Sequence, residues 1–172
     1  MASKVADIRA KNLAMPVPSG TSARSGARSR RTAHILVVDD EAHVRSMIGA
    51  TLEHQGYEVQ LAGSGTEATA RLDRNTYDLV LTDIVMQEGS GIALLESIHA
   101  QYPHLPVVMV TAIHDISVAI DSMRRGAYDY LLKPFEREHL VATVQRALEH
   151  HHALQESKSY QQNLEQVVRA RT

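Results

Sequence analysis

The sequence predicts an α/β protein: a parallel five-stranded sheet covered by helices on both faces. Two observations carry this. Short apolar runs rich in β-branched residues alternate five times with segments of helical period, and that alternation is the signature of a parallel sheet with helical crossovers. Several of the runs also end in a charged or hydroxyl residue, where such sheets place their functional crevice.

Taken in order, His34 to Val38 is a strand buried on both faces. Glu41 to Gln55 has helical spacing, with Val44, Ile48, Ala50 and Leu52 near one stripe, and Gly56 stops it. Tyr57 to Ala62 is the second strand. Ser64 caps a helix through Leu72, with Glu67 placed for a capping box. Asp78 to Asp83 is the third strand, Ser90 to Gln101 a helix, and Pro106 to Thr111 the fourth strand. Asp115 to Arg125 is a helix closed by Gly126, and Tyr128 to Leu132 is the fifth strand. A last helix starts at Glu136 and meets no Pro or Gly through Thr172.

Composition narrows the classes. The 172 residues include no cysteine, so disulfides, thiol nucleophiles and Cys-based metal sites are excluded. No apolar run approaches the length of a membrane span, and Lys4, Asp7, Arg9 and Lys11 break up the N-terminus, so no secretory signal is read there. A cytoplasmic protein without a membrane partner is expected. The net charge of −2 hides an asymmetry, because residues 1–32 hold seven basic residues and one acid, leaving eleven basic and nineteen acidic in the remainder. Residues 16–32 are rich in Pro, Gly, Ser and Arg and cannot bury enough apolar surface to order themselves. Residues 1–32 are therefore expected to be a disordered basic leader; a nucleic-acid partner is not expected. Residues 33–149 form the domain, and residues 150–172 a helical extension.

The strand ends carry Asp39 and Asp40, then Asp83, then Thr111, and just past the fifth strand Lys133. Gathered carboxylates repel one another and need a cation, and an all-oxygen donor set selects a hard one, Mg²⁺ or Mn²⁺. A carboxylate can act as nucleophile to give an acyl phosphate. The Lys133 ammonium can pair with a phosphoryl group and the Thr111 hydroxyl can donate to it. An acid at a strand end is, taken singly, more often a cap or turn residue; the joint pattern is what points to phosphoryl chemistry.

VVDDE, LVLTDIVM, VVMVTA and DYLLKPF, in this order and spacing, resemble the receiver domain of two-component response regulators. The resemblance covers about Ala33 to Glu149. It implies a flavodoxin-like, doubly wound (βα)5 fold with strand order 2-1-3-4-5. It also implies that Asp83 is the phosphoacceptor, that Asp40 binds Mg²⁺ directly and Asp39 through water, and that Asp83 and the backbone carbonyl of Val85 complete the protein ligands. Thr111 is implied as the switch hydroxyl, Lys133 as the phosphate-pairing cation and Tyr130 as the switch aromatic, with a cis bond before Pro134. The implied partner is a histidine kinase or phosphotransfer protein. The domain is then no enzyme but a regulatory phosphoacceptor that assists its own phosphorylation and dephosphorylation. One departure is visible: Met86-Gln87 stands where the family usually has Met-Pro, although Gly91 falls where the family's loop glycine falls. Val85 places an apolar side chain beside the acceptor and is expected to affect phosphate lifetime.

Two other classes compete. An aspartyl phosphatase generally needs a second acid two residues past its nucleophile, where this chain has Val85. A constitutive scaffold would have no need of the acids, Thr111 and Lys133 together. The neighbouring His150, His151 and His152 cannot share one ion on a helix and are expected to form solvated surface. Ser64-Gly65 and Glu88-Gly89-Ser90-Gly91 lack a full nucleotide-loop pattern and are read as turns. Ala153, Ser157, Tyr160, Leu164 and Val167, with Leu154 and Val168 alongside, form a weak apolar stripe. That stripe suggests a dimerising or signal-transmitting coiled coil, and so a homodimer through the last helix, or a linker to an output domain.

Overall fold

The computed structural model describes residues 31–171. The expected leader, 1–32, lies outside the described residues except for its last two. Eleven elements follow one another: β1 His34–Val38, α1 Ala42–His54, β2 Glu58–Ala62, α2 Gly65–Arg74, β3 Leu79–Asp83, α3 Gly91–Gln101, β4 Val107–Ala112, a 3₁₀ turn Ile113–Asp115, α4 Ile116–Arg124, β5 Asp129–Lys133 and α5 Arg137–Arg171. The strands form one sheet in the order β2-β1-β3-β4-β5. Every pairing is parallel. The implied topology is thus the observed one.

Strand period sorts the core into two layers, because successive side chains point to opposite faces. Ile35, Val37, Leu79, Leu81, Val108, Val110 and Leu131 meet Ile48 and Leu52 of α1 and Leu140, Val144 and Ala147 of α5. Leu36, Val38, Val80 and Met109 face the other way, onto Ala68 and Leu72 of α2, Leu94, Leu95 and Ile98 of α3, and Ala119 of α4. Ala50, expected on the apolar stripe of α1, is exposed. It stands two residues from Ile48, about 200° round the helix, so it cannot share that face.

Helix ends follow local chemistry. The Ser64 hydroxyl accepts from the Glu67 N–H at 3.1 Å. The Glu67 carboxylate reaches back one residue further than a capping box predicts, accepting from Gly63 N–H at 2.8 Å. Ser90 caps α3 by accepting from Ile92 N–H at 3.1 Å. Gly56 takes the left-handed backbone, φ +90°, that turns the chain from α1 to β2. The segment before α4 differs from expectation: Ile113–Asp115 is a 3₁₀ turn and α4 begins at Ile116.

Two corrections concern the last helix and strand. Lys133 is the final residue of β5 rather than the residue after it. His151, expected on solvated surface, is buried; its ring fills the base of the sheet, where the loop before β4 and the start of β3 come together. His150 and His152 are exposed as expected. Among the described residues no helix is long and apolar enough to cross a membrane.

Candidate functional site

Parallel register delivers the strand ends to one rim. Asp39 follows β1, Asp83 closes β3 and is paired with Val110, and Lys133 closes β5 opposite Ala112. The Lys133 ammonium donates to Asp39 Oδ2 at 3.1 Å and to Asp83 Oδ2 at 3.1 Å. Residues 94 and 50 positions away in sequence are thereby held by one cation. Asp39 is almost fully buried, at 1% exposure, and Asp83 is 8% exposed.

The second oxygens of both acids are held by local backbone. Asp39 Oδ1 accepts from Glu41 N–H at 2.8 Å, and Asp83 Oδ1 accepts from Val85 N–H at 3.3 Å. Burial, the largest influence, pushes the Asp83 carboxyl above the usual carboxylate range; Lys133 opposes this and the Asp39 charge adds to it. For Lys133, burial works against the charged form. Hydrogen bonds and charge from Asp83 and Asp39 outweigh it, so the ammonium is held charged more firmly than an ordinary lysine.

Oxygens of Asp39, Glu41 and Asp83 lie within 4.8 Å of one another, a set able to hold a metal ion. Buried carboxylates offering only oxygen fit a hard divalent cation. Asp40 is not in this set: its Oδ2 accepts from Gln87 N–H at 2.9 Å, which ties the turn after β1 to the loop after β3. Glu41, the third member of the set, is exposed, with Oε1 4.0 Å from the Lys133 ammonium.

Thr111 is buried, and its hydroxyl donates only a long bond, 3.4 Å, to the carbonyl of Ala112. Tyr130 is half-buried against the core layer under α2, α3 and α4. Val85 is 65% exposed and bridges to Ser90. The Lys133–Pro134 bond is cis. Gly91 has a steric reason: a Cβ there would sit 1.9 Å from the Asp83 carbonyl oxygen, so the start of α3 can pack under the acceptor only without a side chain.

Sequence reasoning missed Glu41 and Arg45. Glu41 stands inside the VVDDE motif, where its position marks only the start of a helix. The Arg45 guanidinium, one turn into α1, donates to the Asp39 carbonyl at 2.6 Å and lies against Gly63. It fixes the peptide whose side chain anchors Lys133. No spacing rule points to it, because the bond goes to backbone.

Residues 35–145 match the model of the response regulator receiver domain. The chain is 41% identical over 120 residues to the transcriptional regulatory protein ZraR of Escherichia coli, covering 70% of this chain and 27% of that protein. It is 36% identical over 129 residues to the DNA-binding transcriptional regulator NtrC of Salmonella typhimurium, covering 75% and 28%. Among solved structures, the receiver domain of NtrX from Brucella abortus is similar, with TM-score 0.66 and 40% identity, covering 67% of this chain and 98% of that one. A longer NtrX structure from the same organism gives TM-score 0.73 and 37% identity, covering 76% and 30%. The chain spans about a quarter of the length of these curated relatives. A family model over most of the chain, relatives about 40% identical to it and the strand order lead to one conclusion: this chain belongs to the response regulator receiver domain family.

Proposed function

We propose that the chain accepts a phosphoryl group on Asp83 from a phosphohistidine of a histidine kinase or phosphotransfer protein. The observation that carries this is the bridge of Lys133 between Asp39 and Asp83. A carboxylate oxygen of Asp83 attacks phosphorus, a P–O bond forms, the P–N bond breaks, and the leaving imidazole takes up a proton. Bound among the acids, Mg²⁺ would neutralise charge on the phosphoryl oxygens. Asp39, Asp40 and Asp83 with the Val85 carbonyl are its proposed ligands, and Glu41 is a further candidate. Lys133 keeps its charge to pair with the phosphoryl group. Thr111 makes only a weak hydrogen bond and is available to turn toward a phosphoryl oxygen. Tyr130 follows, and the surface of α4, β5 and α5 changes its balance of states because only the phosphorylated form makes these contacts.

Output passes through partners or through pairing of α5 with a second copy in the cytoplasm. Support for pairing comes from the exposed Leu154, Tyr160, Leu164 and Val167 beyond the domain. Residues 33–149 are the receiver and 150–172 the transmitting helix in this reading.

Intact-mass analysis after treatment with acetyl phosphate tests the proposal. One phosphoryl mass is expected with Mg²⁺, and none with a chelator or in Asp83→Asn. Modification of that variant at the wild-type rate would remove Asp83 from its role. Size exclusion of the same samples reads pairing: earlier elution after phosphorylation is expected, and identical profiles would leave the helix without a part in output.

A further inference from the structure

At the opposite end of the sheet from the acids, one buried side chain has an unmet bonding need. The His151 ring is 8% exposed. Its Nδ1 lies 2.8 Å from the carbonyl oxygen of His104 in the loop before β4. A carbonyl only accepts, so Nδ1 carries the hydrogen. In the neutral ring Nε2 then holds a lone pair. That atom has no hydrogen-bond partner and faces Asp78 Oδ1 at 3.7 Å. The other oxygen of Asp78 is already engaged, accepting from His34 N–H at 2.8 Å. A buried acceptor therefore faces a partly exposed one, which is unfavourable until a donor comes between them or onto one of them.

We propose that His151 and Asp78 form a buried proton site that locks the helical extension to the base of the sheet when it is occupied. The ligand is a proton from solvent. It adds to the Nε2 lone pair with no bond broken, and the resulting N–H donates to Asp78 Oδ1. Closing from 3.7 Å to a hydrogen bond of about 2.9 Å takes a movement of under about 1 Å. The imidazolium then donates from both nitrogens, and both oxygens of Asp78 are satisfied.

The position gives the lock its consequence. His151 is the last buried residue of α5, and the extension leaves the domain directly after it. It lies six residues beyond the span matched by the family model, while Asp78 and His104 lie within it. Asp78 immediately precedes β3, whose far end is Asp83. The neighbouring charges are few. His34 of β1 touches Asp78 through its backbone, while its ring pairs with Glu58 of β2 at 2.8 Å. His104 offers its carbonyl and its own ring is exposed. On α5, the His150 ring lies 5.1 Å from that of Tyr128, His152 pairs with Glu156 at 3.2 Å, and the field of Glu149 falls on Tyr57. Asp78 is thus the carboxylate placed to receive the proton on His151.

Sign follows from which form makes the bond. The lock is closed while His151 is protonated and Asp78 ionised. When the proton leaves Nε2 the lone pair returns and the lock opens.

The test is amide hydrogen exchange of the full chain as a function of pH, expressed as protection factors, with NMR of labelled histidine rings on the same samples. In the wild type, protection of the amides from His152 to Ser157 is expected to rise roughly threefold to tenfold as His151 takes up its proton. Asp78→Asn should invert the profile. Its carbonyl still accepts from His34 N–H, while its NH₂ donates to the neutral Nε2, so protection is high above the histidine titration and falls below it. His151→Gln should lose most of the pH dependence in this segment, keeping only the small part carried by the His152–Glu156 pair, and circular dichroism checks that each variant is folded. Matching profiles for wild type and Asp78→Asn would overturn the proposal. So would a ring spectrum with hydrogen on Nε2 alone. A change in the His151 signals on adding Zn²⁺ at constant pH would overturn it too, by making the ligand a metal.

Discussion

α5 is one helix in two physical situations. From Arg137 to His151 it buries Leu140, Thr143, Val144, Ala147 and finally His151 against the sheet; from His152 to Arg171 it buries nothing. The second half nonetheless presents Leu154, Tyr160, Leu164 and Val167, each at least 40% exposed. The backbone is continuous, but what holds it differs. Tertiary packing of an apolar face stabilises the first half. The second half propagates from a turn already fixed, which avoids the cost of a fresh nucleus. Helical period alone therefore does not say where a domain stops; burial does.

Unequal cost on the two halves should be the largest effect. Leu140→Ala removes a side chain at 1% exposure and is expected to cost about 2–5 kcal/mol in chemical denaturation. Leu164→Ala, the same change on the exposed half, should move unfolding of dilute protein by no more than about 0.5 kcal/mol. Equal costs would break the contrast.

The rim beside the first half supplies the next test. Because the Asp83 carboxyl is pushed up by burial and by Asp39, the folded chain binds its proton more readily than the unfolded chain does. Ionised Asp83 therefore costs stability at neutral pH, and the cost fades as pH falls through its titration. Asp83→Asn should stabilise the fold by about 1 kcal/mol at pH 7 and by less in acid. Thermal melts with Mg²⁺ sharpen this: the ion should stabilise the wild type more than the variant.

Truncation after Lys158 should change domain stability by less than about 1 kcal/mol, since among the described residues none beyond His151 is buried. A larger loss would mean the outer helix supports the core. Smallest of all, Glu156→Ala removes an exposed pair with His152 and should cost a few tenths of a kcal/mol in helix content, more where His152 is protonated.

Much of the domain was legible because its signals are local or periodic. Five apolar runs became five strands, and the acids, Thr111 and Lys133 stood at their ends. The rest depended on what tertiary structure brings near. Asp40 and Glu41 are neighbours in sequence, and only the folded chain shows one carboxylate accepting from Gln87 N–H and the other within reach of Asp39 and Asp83. Arg45 acts on a carbonyl, which leaves no trace in residue type. His151 belongs to a run of three polar rings, yet the loop at His104 and the start of β3 close over one of them alone.

The reach of α5 has a mechanical meaning. Twenty residues separate His151 from Arg171, about 30 Å at a rise of 1.5 Å per residue. A pivot so close to the domain and a tip so far away make the helix an amplifier. Rocking it by about 2° at the pivot carries the tip through about 1 Å, given that length. Shifts too small to rearrange the core can thus register at a distance, and the sharpness of that readout is set by how stiffly the pivot is gripped.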